Sequence, residues 1–246
     1  MEVLAQIVAA SLACGLLSMI GAALVTFGLP RRWLTGLVSF SAGILLTTAL
    51  LEALPEALAY GLSAQSLFYW LLAGLLGFFA LERFVNERIA HDRHSDTRSA
   101  AATARMIIIG DGVHNITDGV VLAAAFLVDA HLGWMTALAI IAHEVPQEVG
   151  DFALLLTAGW SKAKAFVWNG ISSLTSVAGG VAGYFWLEGA RAWVPQVLVI
   201  AAASFIYVAV SYLMPRLRRE RGAFFWQSGC MAAGVATVPI ALTYLH

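Results

Sequence analysis

The sequence predicts an all-α polytopic membrane protein with eight transmembrane helices and both termini outside the cytoplasm. Three observations carry this expectation. The 246 residues are 60% hydrophobic and 12% charged, with a mean hydropathy of +0.81, whereas a soluble domain is about half apolar and about a quarter charged. Apolar stretches of the roughly 20 residues that cross a bilayer core recur along the whole chain. Finally, the basic residues gather in alternate connections between those stretches.

The spans read 3–28, 34–58, 67–88, 104–128, 133–158, 163–187, 194–214 and 223–245, as one transmembrane domain over 1–246. Each break is marked by residues that lipid would not accept. Pro30-Arg31-Arg32 ends the first span and Gly61–Ser66 separates the second from the third. His91–Ser99 precedes the fourth, and Asp129–Gly133 is the short turn before the fifth. Ser161–Lys164, Glu188–Trp193 and Pro215–Arg221 mark the others. With both ends outside, the inner connections hold all the Lys and Arg residues except Arg191. That asymmetry sets the orientation by the positive-inside rule, and a missed span would scramble it.

The net charge of -1 says nothing about nucleic acid, but no basic cluster stands outside the short loops and no nucleic-acid partner is expected. Cys14 and Cys230 both fall inside apolar runs, which suits packing residues better than a disulfide framework. The opening Met-Glu-Val has no basic n-region, so the first apolar run is expected to be retained. Small residues recur along the sixth span at Ser172, Ser176 and Gly180, with Gly179 and Gly183 beside them, a face suited to close helix packing.

Ionisable groups at membrane depth are costly unless they are paired or face a hydrated cavity, so they mark function. Here they concentrate in two spans. The fourth contains Asp111, His114, Asn115 and Asp118, and the fifth contains His143, Glu144, Gln147, Glu148 and Asp151. Projected at about 100° per residue, the first group occupies an arc of about 100° and the second about 140°. Each helix therefore carries one polar stripe on an otherwise apolar surface. His114 and His143 each lie about ten residues inside their spans, or roughly 15 Å. Because these helices run antiparallel, both imidazoles arrive near the middle of a core about 30 Å thick.

Imidazole nitrogen with carboxylate and amide oxygen is a ligand set for borderline divalent metals, Zn²⁺ foremost, with Fe²⁺, Mn²⁺ and Cd²⁺ also suited. His114 with Asp118, and His143 with Gln147, have the i,i+4 spacing that places two groups on one helix face. Carboxylates would also neutralise a cation in a low-dielectric medium. Pro146 removes a backbone hydrogen bond in mid-helix, and a bent helix would offer carbonyls to an ion. The candidate ligands are therefore His114, Asn115, Asp118, His143, Glu144, Gln147 and Glu148, with Asp111, Asp151 and Glu52 as pathway residues. Glu56 reads as interfacial. His91, Asp92, His94 and Asp96 read as a solvated polar linker before a metal cluster, and His131 receives no role.

With those residues in view, the chain resembles the ZIP (Zrt/Irt-like) family of metal transporters. The family signatures appear as His114-Asn115-Ile116-Thr117-Asp118 and as His143-Glu144-Val145-Pro146-Gln147-Glu148, the latter continuing Val149-Gly150-Asp151 in a form similar to the LIV-1 branch. Leu54-Pro55-Glu56-Ala57 and Asn169-Gly170-Ile171-Ser172-Ser173 are weaker matches. The resemblance implies one metal site from His114, Asp118, His143 and Gln147, and an adjoining one from Asn115, Asp118, Glu144 and Gln147. It further implies passage of divalent metal into the cytoplasm, a homodimer, and movement of the first and fourth to sixth spans against the others. Gln147 stands where the LIV-1 pattern has a second His, which removes a nitrogen ligand. No long extracellular domain or His-rich loop is seen, so a bacterial inner membrane is expected.

The enzyme alternative is an intramembrane zinc hydrolase or protease, prompted by His143-Glu144. That motif needs His four residues after His143, where Gln147 stands, and it tolerates Pro146 poorly. A proton relay through the carboxylates without metal is a third reading.

Overall fold

A chain segment in lipid has no water to satisfy its N–H and C=O groups, so it closes its hydrogen bonds internally as a helix. The computed structural model describes residues 2–28, 31–92, 98–157, 159–219 and 224–245, and the elements among them are helical. They are α1 (Glu2–Gly28), α2 (Arg31–Thr47), a π-helical turn (Thr48–Ala53), α3 (Leu54–Ala59), α4 (Ala64–Asp92), α5 (Arg98–Val128) and α6 (Ala130–Thr157). Then follow α7 (Lys162–Ser173), α8 (Thr175–Gly189), a 3₁₀ turn (Arg191–Trp193), α9 (Val194–Tyr207), a second π-helical turn (Val208–Leu213), α10 (Met214–Arg219) and α11 (Phe224–Leu245). Joined through their irregular turns, these make eight rods, as expected. The chain is an all-α polytopic membrane protein.

Among the described residues, five stretches are by themselves long and apolar enough to cross a membrane: Glu2–Leu24, Thr35–Ala59, Ala64–Phe84, Ile107–Val128 and Arg191–Ser211. The 29 residues of α4 span about 43 Å at 1.5 Å each, more than a core of about 30 Å. Its far end therefore leaves the lipid, where Arg83 and Glu87 pair at 2.8 Å, both well exposed. Its lipid-level surface shows Phe68, Leu72, Leu76 and Phe79.

The backbone irregularities fall at different places from the one the sequence suggests. α6 stays helical through Pro146. The sixth rod instead breaks at Leu174, and the second and seventh rods each loosen into a π turn just before Leu54-Pro55 and Met214-Pro215. A proline cannot supply the next N–H of the ladder, and a wider turn upstream accommodates the mismatch.

The rods form two sets. α1, α5, α6, α7 and α8 pack mainly on one another, as do α2, α3, α4, α9, α10 and α11. α2 on α6 and α9 on α5 join the sets. Close approach of α5 and α8 depends on two glycines. A Cβ on Gly119 would lie 2.0 Å from the Ser176 carbonyl oxygen, and one on Gly179 would lie 2.1 Å from that of Ile116. The small-residue face of the sixth rod is thus a packing face against α5. His91, Asp92, His94 and Asp96 lie outside what the structure describes of side chains.

Gly119→Ala should force α5 away from α8 and lower stability by about 1–3 kcal/mol. Gly110→Ala should be neutral, since nothing lies within 4 Å of the added carbon. Thermal melting of the two variants in detergent checks the contrast.

Candidate metal centre

The polar stripes of α5 and α6 meet near the middle of both helices. His114 and Asp118, one turn apart on α5, face His143 and Glu144 on α6, and one potential ligand atom from each of the four lies within 4.8 Å of the others. His114 Nε2 is 3.2 Å from His143 Nε2. Asp118 Oδ2 is 3.1 Å from His143 Nε2 and 3.7 Å from His114 Nε2, and Glu144 Oε1 is 3.8 Å from His114 Nε2. Two nitrogens bound tetrahedrally to one Zn²⁺ at about 2.0–2.1 Å lie about 3.3 Å apart. The spacing is compatible with ligation of one ion by both imidazoles.

The protonation pattern suits this arrangement. His143 Nδ1 is 3.0 Å from the Ala139 carbonyl oxygen, which can only accept, so Nδ1 carries the proton. Nε2 then presents its lone pair to the cluster, the tautomer a metal requires. The Phe205 ring of α9, centroid 5.9 Å from that of His143, closes one side with apolar surface. The His143, Asp118 and Glu144 side chains are fully buried, while His114 keeps 20% of its side chain exposed. Of the four, His114 alone keeps appreciable exposure. Neither oxygen of Glu144 accepts a hydrogen bond. A buried carboxylate left in that state costs free energy that a cation would return.

The other predicted residues divide by what they touch. The Asn115 amide nitrogen donates to both the backbone oxygen and Oδ1 of buried Asp111, at 3.1 and 3.0 Å, which leaves only the Asn115 side-chain oxygen to face an ion. Gln147 and Asp151 are half-buried on α6. Glu148 turns towards α7, where Ser173 Oγ donates to its Oε1 at 2.5 Å and the Asn169 side chain donates to its backbone oxygen at 3.3 Å. Glu52 lies in the first π turn, at the far end of α6 from Asp151, with its Oε1 3.9 Å from His131 Nε2.

Two features needed the three-dimensional structure. Ser173 and Asn169 hold Glu148, and only the Asn-Gly-Ile-Ser-Ser match hinted at them. Ser41 of α2 is the second. Pro146 has no N–H for the carbonyl four residues earlier, Ala142, and Ser41 Oγ donates to that oxygen while also lying 2.8 Å from Leu37 O. One hydroxyl from the other helix set thereby repairs the ladder beneath His143 and Glu144.

Fold and site together define a helical membrane protein with a nitrogen–oxygen side-chain cluster buried midway along α5 and α6. Residues 87–241 match the family model described as ZIP Zinc transporter. The chain belongs to this family. It is 33% identical over 217 residues to the orangutan (Pongo abelii) "Zinc transporter ZIP13", a match covering 78% of this chain and 60% of that protein. It is 31% identical to the human protein of the same name, covering 78% and 65%, and 37% identical to "Zinc transporter foi" of Drosophila melanogaster, covering 61% and 22%. The chain thus spans less than two thirds of the length of each of these relatives. They carry the names of transporters, not of hydrolases.

Ser41→Ala should leave the Ala142 carbonyl without a donor and lower stability by about 1–3 kcal/mol. Ser39→Ala removes a hydroxyl that, among the described residues, bonds within its own helix, to Thr35 O at 2.9 Å, and should have a smaller effect. Chemical or thermal denaturation in detergent separates the two.

Proposed function

We propose that this chain, acting as a single transmembrane unit, carries divalent transition-metal ions across the membrane into the cytoplasm, with zinc as the principal substrate. The observation that supports this reading most is the convergence of His114, Asp118, His143 and Glu144 within 4.8 Å at mid-depth. Two imidazoles and two carboxylates offer four donors and enough negative charge to neutralise a Zn²⁺ stripped of water. Zinc exchanges ligands without redox chemistry or a fixed geometric preference, so a site of this kind can release what it binds.

Asn115, Gln147 and Glu148 extend the donor set towards Asp111 and Asp151, and in this reading they form the adjoining site and the route onwards. Gln147 in place of a second histidine leaves that neighbouring position oxygen-rich, which should broaden acceptance to Mn²⁺ and Fe²⁺. The basic residues of alternate connections support termini that face out of the cytoplasm. A homodimer in a bacterial plasma membrane is the setting proposed, on the resemblance and on the short connections between spans.

Reconstituted into liposomes holding a zinc-sensitive dye, the wild-type protein should show saturable uptake. The double variant His114→Ala/His143→Ala should fall to the rate of empty liposomes while eluting as the wild type does. Undiminished flux in that variant would overturn the assignment. Cleavage of peptide or lipid by the purified protein would instead favour hydrolysis.

A further inference from the structure

At the end of the bundle away from the Lys/Arg-rich connections, the π turn Thr48–Ala53 packs against the start of α6. It places Glu52, only 7% exposed, beside His131, the second residue of α6. Neither Glu52 carboxylate oxygen accepts a hydrogen bond. Its Oε1 is 3.9 Å from His131 Nε2. That gap is too long for a direct hydrogen bond of about 2.7–3.2 Å, and a water bridging at a tetrahedral angle would hold the outer atoms roughly 4.5 Å apart. Two metal–ligand bonds of about 2.0–2.2 Å reach across it with neither side chain moving far. The negative field of Asp129 also reaches Glu52. One Asp129 oxygen, Oδ1, accepts the Leu132 amide at 2.9 Å and so fixes the carboxylate at the head of α6.

We propose that Glu52 and His131 form a second divalent-metal site, separate from the buried cluster and standing at the N-terminal end of α6. His143 lies twelve positions along α6 from His131, about 18 Å at 1.5 Å per residue. The two sites therefore cannot share an ion. One imidazole and one carboxylate leave the remaining coordination positions to water, so this site takes a partly hydrated borderline cation and holds it weakly. Weak binding with residual water suits capture from solution, and the Asp129 charge raises the local cation concentration. Because Glu52 belongs to the α2 set of helices and His131 to the α6 set, a bound ion ties the two sets together at this end. The role in uptake rests on the transport reading, whereas metal binding here stands without it.

Co²⁺ titration followed by absorbance tests the site in the His114→Ala/His143→Ala background, which disables the buried cluster and keeps both cysteines as a baseline. This background should retain a saturable Co²⁺ site, and adding Glu52→Gln should remove it. Adding His131→Cys instead should produce a near-ultraviolet thiolate-to-cobalt charge-transfer band, which appears only if residue 131 touches the ion. No Co²⁺ binding in the background, or no such band from a monodisperse helical protein, overturns the proposal. In the otherwise wild-type protein, Glu52→Gln should raise the zinc KM roughly tenfold with little change in maximal rate. A background variant that still transports zinc would sink the transport reading, and the cobalt band would still report on this site.

Discussion

Two buried carboxylates faced by two imidazoles are the constraint around which this molecule is arranged. Asp118 and Glu144 sit at mid-depth, almost wholly removed from solvent, with Glu144 accepting no hydrogen bond. In lipid such groups are tolerated only where something neutralises them. His114 and His143 supply nitrogen donors between them at 3.2 Å, leaving a centre complementary to a divalent cation. A fold optimised for stability alone would fill that space with leucine.

The surrounding protein holds this costly centre in register by anchoring several of the polar groups near it. Ala139 fixes the His143 tautomer. Ser173 and Asn169 anchor Glu148 to α7, and Asn115 is tied to Asp111 one turn away. Ser41 covers the carbonyl that Pro146 exposes. The proline therefore does not break α6; it creates a polar vacancy that a neighbouring helix fills. Gly119 and Gly179 bring α5 and α8 into backbone contact, which fixes the rotation of the α5 stripe towards α6.

Division of the bundle into two helix sets gives this arrangement a further meaning. His114, Asp118, His143, Glu144, Glu148 and the α7 residues that hold it all belong to one set, whereas Ser41, Phe205 and Glu52 approach from the other. The buried cluster is thus an internal property of one set, capped by the second. The contact between Glu52 and His131, by contrast, exists only while the sets stand in their present relation. An ion bound there would report on that relation, and an ion in the buried cluster would not.

Composition, the spacing of apolar runs and the placement of Lys and Arg were enough to predict eight helices. The i,i+4 spacing of His114 with Asp118, and the matched position of His143, were enough to predict that these side chains would meet. Periodicity works here because lipid imposes helices and excludes isolated charge, so a polar stripe has few places to go. Contacts between helices distant in sequence were not legible in this way. The Ser41–Ala142 bond spans 101 residues, and nothing local to Ser41 signals it. Pro146 read as a kink by motif, whereas α6 stays helical through it, with a hydroxyl from α2 on the carbonyl it leaves free. His131 carried no signal at all, because its nearness to Glu52 comes from the packing of the first π turn against α6. The sequence determined which residues must leave the lipid; the packing of helix against helix determined which of them would meet, since that depends on rotations and close approaches that no single segment encodes.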